Sequence, residues 1–162
     1  MAFKRPGSTV GGTSVLTRAV LALASIVAAI GFTTVATAAP AAAAGPCGSS
    51  YAQVGHYPIK SSSFGTVGYI DVYWSSTTQR NCAVMDSVGV SRGFARYKMA
   101  LIYPSSSPRE ADIDAGDFKY YAGPVYTPRG YNMSGECITV KGAVKMPDGS
   151  APDRQLSNVH CG

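Results

Sequence analysis

Gly89-Val90-Ser91-Arg92-Gly93 spells G-x-S-x-G, and Asp114 and His160 follow it along the chain. In α/β-hydrolases that order supplies a nucleophile, an orienting carboxylate and a general base. The chemistry requires a strand, a sharp turn and then a helix, so that the serine stands exposed above a parallel sheet. Here the motif runs into "FARYKMALIY", whose alternation is that of a strand. A chain rich in Gly and Ser also matches the pattern readily by chance. Ser91 is therefore not expected to be a nucleophile, and no catalytic residue is assigned.

Metal chemistry has similarly thin support. "EADIDAGDF" gathers Glu110, Asp112, Asp114 and Asp117, and its D-x-D-x-G resembles part of a calcium loop. The glutamate that would complete an EF-hand loop is missing, so the expected role is a solvated acidic turn. His56 and His160 fall in no H-x-x-H or H-E-x-x-H spacing, and each reads as a surface or hydrogen-bonding histidine. The cysteines lack C-x-x-C or Cys/His zinc spacing. No cofactor or metal is expected, and no glycine-rich phosphate loop follows a strand. Asn132-Met133-Ser134 fits N-x-S, but a bacterial chain of this type would not normally be modified there.

Aromatic side chains are the remaining recognition chemistry. Tyr and Trp give large, rigid, amphipathic contacts that can stack on sugar rings. Tyr73-Trp74 ends one candidate strand, and Tyr121, Tyr126 and Tyr131 cluster later in the chain. Trp74 and Tyr120 are expected in the core. Tyr121, Tyr126 and Tyr131 are the candidate surface aromatics. "TPRGYNMSG" offers another possibility, a rigid loop presenting Arg129 to a trypsin-like pocket.

These residues sit in a chain that begins with an address. Lys4, Arg5 and Arg18 precede the apolar run "AVLALASIVAAIGF" and then small residues, the pattern of a secretory signal peptide. The apolar run is shorter than the roughly 20 residues of a membrane span. Ala36-Thr37-Ala38 and Ala42-Ala43-Ala44 are competing cleavage sites, and cleavage after Ala44 is preferred. Residues 1–44 are thus the expected signal, and residues 45–162 one domain with a real core. Three of the 14 basic residues leave with the signal, and no acidic ones do. What remains is weakly basic without a Lys/Arg cluster, so neither nucleic acid nor a membrane is an expected partner. Cys47, Cys82, Cys137 and Cys161 form an even set in an exported chain, expected as two disulfides whose pairing spacing does not decide.

Strand patterns fill the rest. "TVGYIDVYW", "CAVMDSVGV" and "ARYKMALIY" are three candidates. The last places Ala95, Tyr97, Met99, Leu101 and Tyr103 on one face, and Arg96 and Lys98 on the other. "DFKYY" and "PVYT" read as one strand interrupted by a bulge or edge at Gly123-Pro124. "CITVKGAVKM" alternates Ile138, Val140 and Val144 against Thr139, Lys141 and Lys145, and a short strand runs from Leu156 to Val159. Gly/Pro/Ser turns such as "SSTTQRN", "PSSSPRE" and "PDGSAPD" separate them. Asp114-x-Gly116-x-Phe118 resembles the tyrosine corner that opens strand F of immunoglobulin-like sandwiches, with Phe in place of Tyr. The expected fold is all-β, a single-domain Greek-key β-sandwich, immunoglobulin-like or jelly-roll-like.

"DFKYYAGPVY", together with "NCAV" at 81–84, "GECITVKG" at 135–142 and the terminal "HCG", resembles the spore-associated protein A family. Tyr121-Ala122-Gly123-Pro124-Val125 is its most specific piece. Where that family tends to read C-V-x-W-x-G, this chain has Val140 in place of the Trp. The resemblance implies a small secreted actinobacterial protein associated with the spore or aerial-cell surface, and it supplies no catalytic residue. The expected function is a secreted, non-catalytic surface protein whose partner is the spore or cell envelope, with glycan as one ligand class. A secreted binding module or protease inhibitor is the alternative, and a small serine hydrolase using Ser91 ranks below both.

Overall fold

Residues 44–161 are described by the computed structural model. The expected signal segment lies outside the described residues, apart from Ala44. Eight strands follow in order: β1 (Ala52–Ser61), β2 (Gly65–Ser75), β3 (Arg80–Ser87), β4 (Arg96–Pro104), β5 (Asp112–Phe118), β6 (Tyr121–Tyr126), β7 (Ile138–Val144) and β8 (Asp153–Val159). They form two four-stranded sheets, ordered β1-β2-β3-β6 and β5-β4-β7-β8. Every pairing is antiparallel. The all-β expectation holds. Among the described residues no helix is long and apolar enough to cross a membrane.

The core forms where the inner faces meet. Ile59, Val67, Ile70, Val72, Ala83 and Met85 of the first sheet pack against Ala100, Ile102, Ile138, Val140 and Val144 of the second. The sheets approach closely at Gly142, the cross-strand partner of Ala100. A Cβ on Gly142 would stand 2.8 Å from Ile70 Cγ1, so only glycine lets that isoleucine in. This close approach accompanies a reversal in β4. Its buried face carries Lys98, Ala100 and Ile102, while Tyr97, Met99, Leu101 and Tyr103 point outward. The larger apolar set lies outside, and the inner face carries Ala100 where Gly142 stands opposite.

Lys98 is fully buried at the end of that inner face. Its ammonium donates to Phe118 O at 2.6 Å and to Phe94 O at 3.2 Å. It therefore ties the chain entering β4 to the chain leaving β5. Desolvation, and then the neighbouring Arg96, hold its pKa below the ordinary lysine value.

The acidic stretch is strand β5, not a turn. Asp114, Gly116 and Phe118 lie within this edge strand, so no tyrosine corner forms. "DFKYY" and "PVYT" are also not one interrupted strand. The chain leaves one sheet at Phe118 and joins the other at Tyr121. Tyr120 sits at that bend, 50 % exposed rather than in the core. The edge expected at Gly123-Pro124 is present: β6 pairs only with β3, whose register shifts between Ala83 and Met85. The peptide bond before Pro124 is cis. β1 has no counterpart among the expected strands. Gly55 and Pro58 break its alternation, and two register shifts interrupt its pairing with β2.

Two carboxylates bridge the gap between edge strands β5 and β6. Asp114 Oδ2 accepts the Gly123 N–H at 2.7 Å, and Asp112 Oδ2 accepts the Tyr126 N–H at 2.8 Å. These are backbone donors that β6, as an edge, would otherwise leave unpaired. A hydrogen bond to a charged group contributes about 1.5–3 kcal/mol. Asp114→Ala should therefore lower stability by about 2 kcal/mol in urea unfolding. Added calcium should leave the wild-type midpoint in place, whereas a calcium-dependent rise would assign these carboxylates to a cation.

Candidate functional site

A pocket of about 350 Å³ opens at one end of the sandwich. Its floor is set by a hairpin. The turn between β2 and β3 places Trp74 directly opposite Asn81 in the antiparallel ladder, so both side chains share one face. Trp74 is half-buried and packs against the main core. Asn81 is 2 % exposed. Its backbone N–H donates to the Thr127 hydroxyl at 3.0 Å, which fixes the residue in place. Its side-chain Oδ1 is buried with no hydrogen-bond partner among the described residues. An orphaned buried acceptor costs about 1–3 kcal/mol.

Three further segments complete the walls. Val54 sits where the β1–β2 register shifts between Gln53 and Gly55, and that irregularity turns it toward the pocket. Met133 and Ser134 come from the loop before β7. Met133 N–H donates to Gln79 O at 3.1 Å, joining this loop to the β2–β3 turn. The tail after β8 brings His160 and Cys161. Cys161 is bonded to Cys137, so a covalent bridge joins the tail to the loop.

His160 adopts a positive φ of 52° and packs its ring against Gly55. A Cβ at Gly55 would lie 2.7 Å from His160 Nε2, so the absent side chain is what seats the imidazole. The Tyr57 hydroxyl and His160 Nε2 share a hydrogen bond of 3.0 Å. Burial holds the imidazole below its ordinary pKa, so it is neutral at pH 7. The pocket thus combines an indole, a neutral imidazole, an amide and a hydroxyl. None of its lining residues is charged.

The hydrolase trio is not assembled. Ser91 is fully buried, with its Oγ within 3.3 Å of Lys145 O and 3.2 Å of Met146 Sδ. Asp114 is engaged by Gly123, and His160 by Tyr57. His56 lies on the outer face of the first sheet, paired with Asp71 and stacked on Tyr69 at 4.0 Å. Among the described residues no group of His, Cys, Asp and Glu is arranged to hold a metal ion.

The candidate surface aromatics separate. Tyr121 is 50 % exposed and, with Tyr120, lines a shallow depression beside Asp114, Phe118 and Lys119. Tyr126 is half-buried: its ring meets Tyr51 edge-on at 5.7 Å, Arg80 lies over it at 5.1 Å, and its hydroxyl donates to Cys47 O at 3.3 Å. Burial, and then Tyr51, raise its pKa. Tyr131 is half-buried against the main core, leaving Arg129 exposed in the same loop. Val140, the position that departs from the family pattern, is fully buried in the core. The second bridge, Cys47–Cys82, anchors the N-terminal segment in a small cluster with Tyr51, Tyr73, Val84 and Tyr126.

Trp74 was expected in the core, with a platform role weighed beside it, and Asn81 was read only as part of the "NCAV" resemblance. One signal was available: the turn chemistry of "SSTTQR" sets the hairpin that pairs them.

Because burial depresses the His160 pKa, the unfolded chain takes up that proton before the folded one as pH falls. Its contribution is complete above the ordinary value near 6.5 and is lost as pH falls from there through the lower folded value. Between about pH 7 and about pH 5 the wild-type unfolding midpoint should fall further than that of His160→Gln. Parallel profiles would remove His160 as a source of the acid sensitivity.

A protein of Streptomyces coelicolor named "Spore-associated protein A" is 32 % identical to this chain over 136 residues, covering 78 % of this chain and 80 % of its own length. No family model matches the chain. No solved structure matches it.

Proposed function

The chain belongs to the spore-associated protein A family, and from that membership we propose that it is a secreted, non-catalytic protein held on the spore or cell envelope. The observation that carries this reading is the relative's name, attached to a similarity over most of both chains. Three features support it. The first 44 residues have the order of a signal peptide, basic then apolar then small. Two disulfides suit an oxidising compartment outside the cell. The one serine in a nucleophile-like motif is buried, with its hydroxyl already hydrogen-bonded.

Envelope retention needs exposed contact surface. Tyr120 and Tyr121, each 50 % exposed at the β5–β6 crossing, provide rigid aromatic area without the entropy cost of long flexible side chains. Arg92 lies over the Tyr120 ring at 5.4 Å.

The test is co-sedimentation with washed spore envelopes and with purified cell-wall glycan, at low and high salt. Retention that survives high salt is expected, because apolar and aromatic contact is not screened as charge pairing is. Replacing Tyr120 and Tyr121 together by Ser should lower the retained fraction. A protein that stays in the supernatant with both materials would overturn envelope association.

A further inference from the structure

We propose that the pocket between Trp74, Asn81 and His160 binds a neutral sugar ring that carries an acetamido group. The proposal rests on the envelope reading only for where such a sugar would be met.

Size sets the first limit. A volume of about 350 Å³ lies within the roughly 300–1,000 Å³ range of small-molecule pockets, near its lower end. It holds a ring or two, not a folded partner. Charge sets the second. With no Asp, Glu, Lys or Arg in the lining, a carboxylate, phosphate or ammonium entering the pocket would lose its hydration without a counter-charge. A neutral polar molecule meets no such penalty.

The lining chemistry narrows the class further. The Trp74 indole offers a π face whose negative quadrupole attracts the polarised C–H groups along one side of a pyranose ring. Ser134 and His160 supply hydrogen-bonding groups for ring hydroxyls, and Val54 and Met133 supply apolar wall for a methyl group. Asn81 gives the most specific signal. Its amide is almost wholly buried in the pocket wall, and Oδ1 has no partner. That oxygen has no hydrogen bond to lose when the side chain meets a ligand. A secondary amide supplies the N–H donor that Asn81 Oδ1 lacks. An acetamido group provides that amide with a methyl attached.

Trp74 is the chain's only tryptophan, so its fluorescence reports on this pocket alone. The protein, expressed as the full chain in an exporting host, is titrated with triacetylchitotriose. Cellotriose serves as the matched sugar without acetamido groups. The expected result is a saturable emission change with the acetamido sugar and binding of cellotriose weaker by roughly tenfold or more. Asn81→Leu should weaken the acetamido response by at least roughly tenfold. Its unfolding midpoint should be kept or raised, because the orphaned acceptor is gone. If Asn81→Leu does not fold, Val54→Arg at the 44 %-exposed rim should block the response while leaving the core intact. No saturable change with triacetylchitotriose, equal affinity for cellotriose, or wild-type binding by the folded variant would each overturn the proposal. Envelope sedimentation is read separately. Sugar binding without envelope retention overturns the envelope reading alone, and retention without a sugar response overturns the pocket proposal alone.

Discussion

The Cys137–Cys161 bridge is the constraint on which the pocket depends. It closes a span of 24 residues that contains β7 and β8, and it joins the pocket loop to the C-terminal tail. Strand β8 is an edge strand that pairs only with β7, and its Leu156 and Val159 are only partly buried. Such a strand has little apolar area to hold its end in place. A cross-link over a loop of this length destabilises the unfolded chain by about 3.5 kcal/mol. That restraint keeps His160 against Gly55, where its imidazole meets Tyr57 and closes one wall.

The rest of the sandwich follows the same logic of closing what sheets leave open. Edge strands expose unpaired donors, and here side chains rather than a further ladder satisfy them. Asp112 and Asp114 reach from β5 to the edge of β6. Lys98 takes two carbonyls where the chain enters β4 and leaves β5. The Cys47–Cys82 bridge fastens the N-terminal segment in its own small aromatic cluster. Each device is local and polar or covalent. Together they let a small β-domain keep a defined edge and one open end with a limited core.

Fold class was readable from alternation and turn chemistry, because β2, β3, β4 and β7 carry β-branched and aromatic residues between Gly/Pro/Ser breaks. Two strands were not readable. β1 is interrupted by Gly55 and Pro58, and β5 looked like an acidic turn because two of its carboxylates, Asp112 and Asp114, serve backbone donors of another strand. The orientation of β4 was hidden for a different reason. Periodicity says which residues share a face, but packing against the other sheet decides which face is covered. The same limit applied to the site. Val54, Asn81, Met133 and His160 come from four separate segments, and only a bulge, a hairpin, a loop and a bridged tail bring them together. Spacing along the chain carries no trace of that convergence. The alternation that put Tyr121 on an exposed face also put Tyr120 in the core, and the crossing between sheets exposes both.

Envelope association and the pocket meet in one observable, the accessibility of the Trp74 indole when the protein is bound to its surface. Acrylamide quenching of that single tryptophan can be compared for the free protein and for protein retained on washed spore envelopes. If the open end of the sandwich receives envelope glycan, quenching falls sharply on retention, and triacetylchitotriose releases the protein with its indole still shielded. Unchanged quenching in the retained protein would show that the pocket stays empty at the envelope, and would contradict this account of how the fold serves its function.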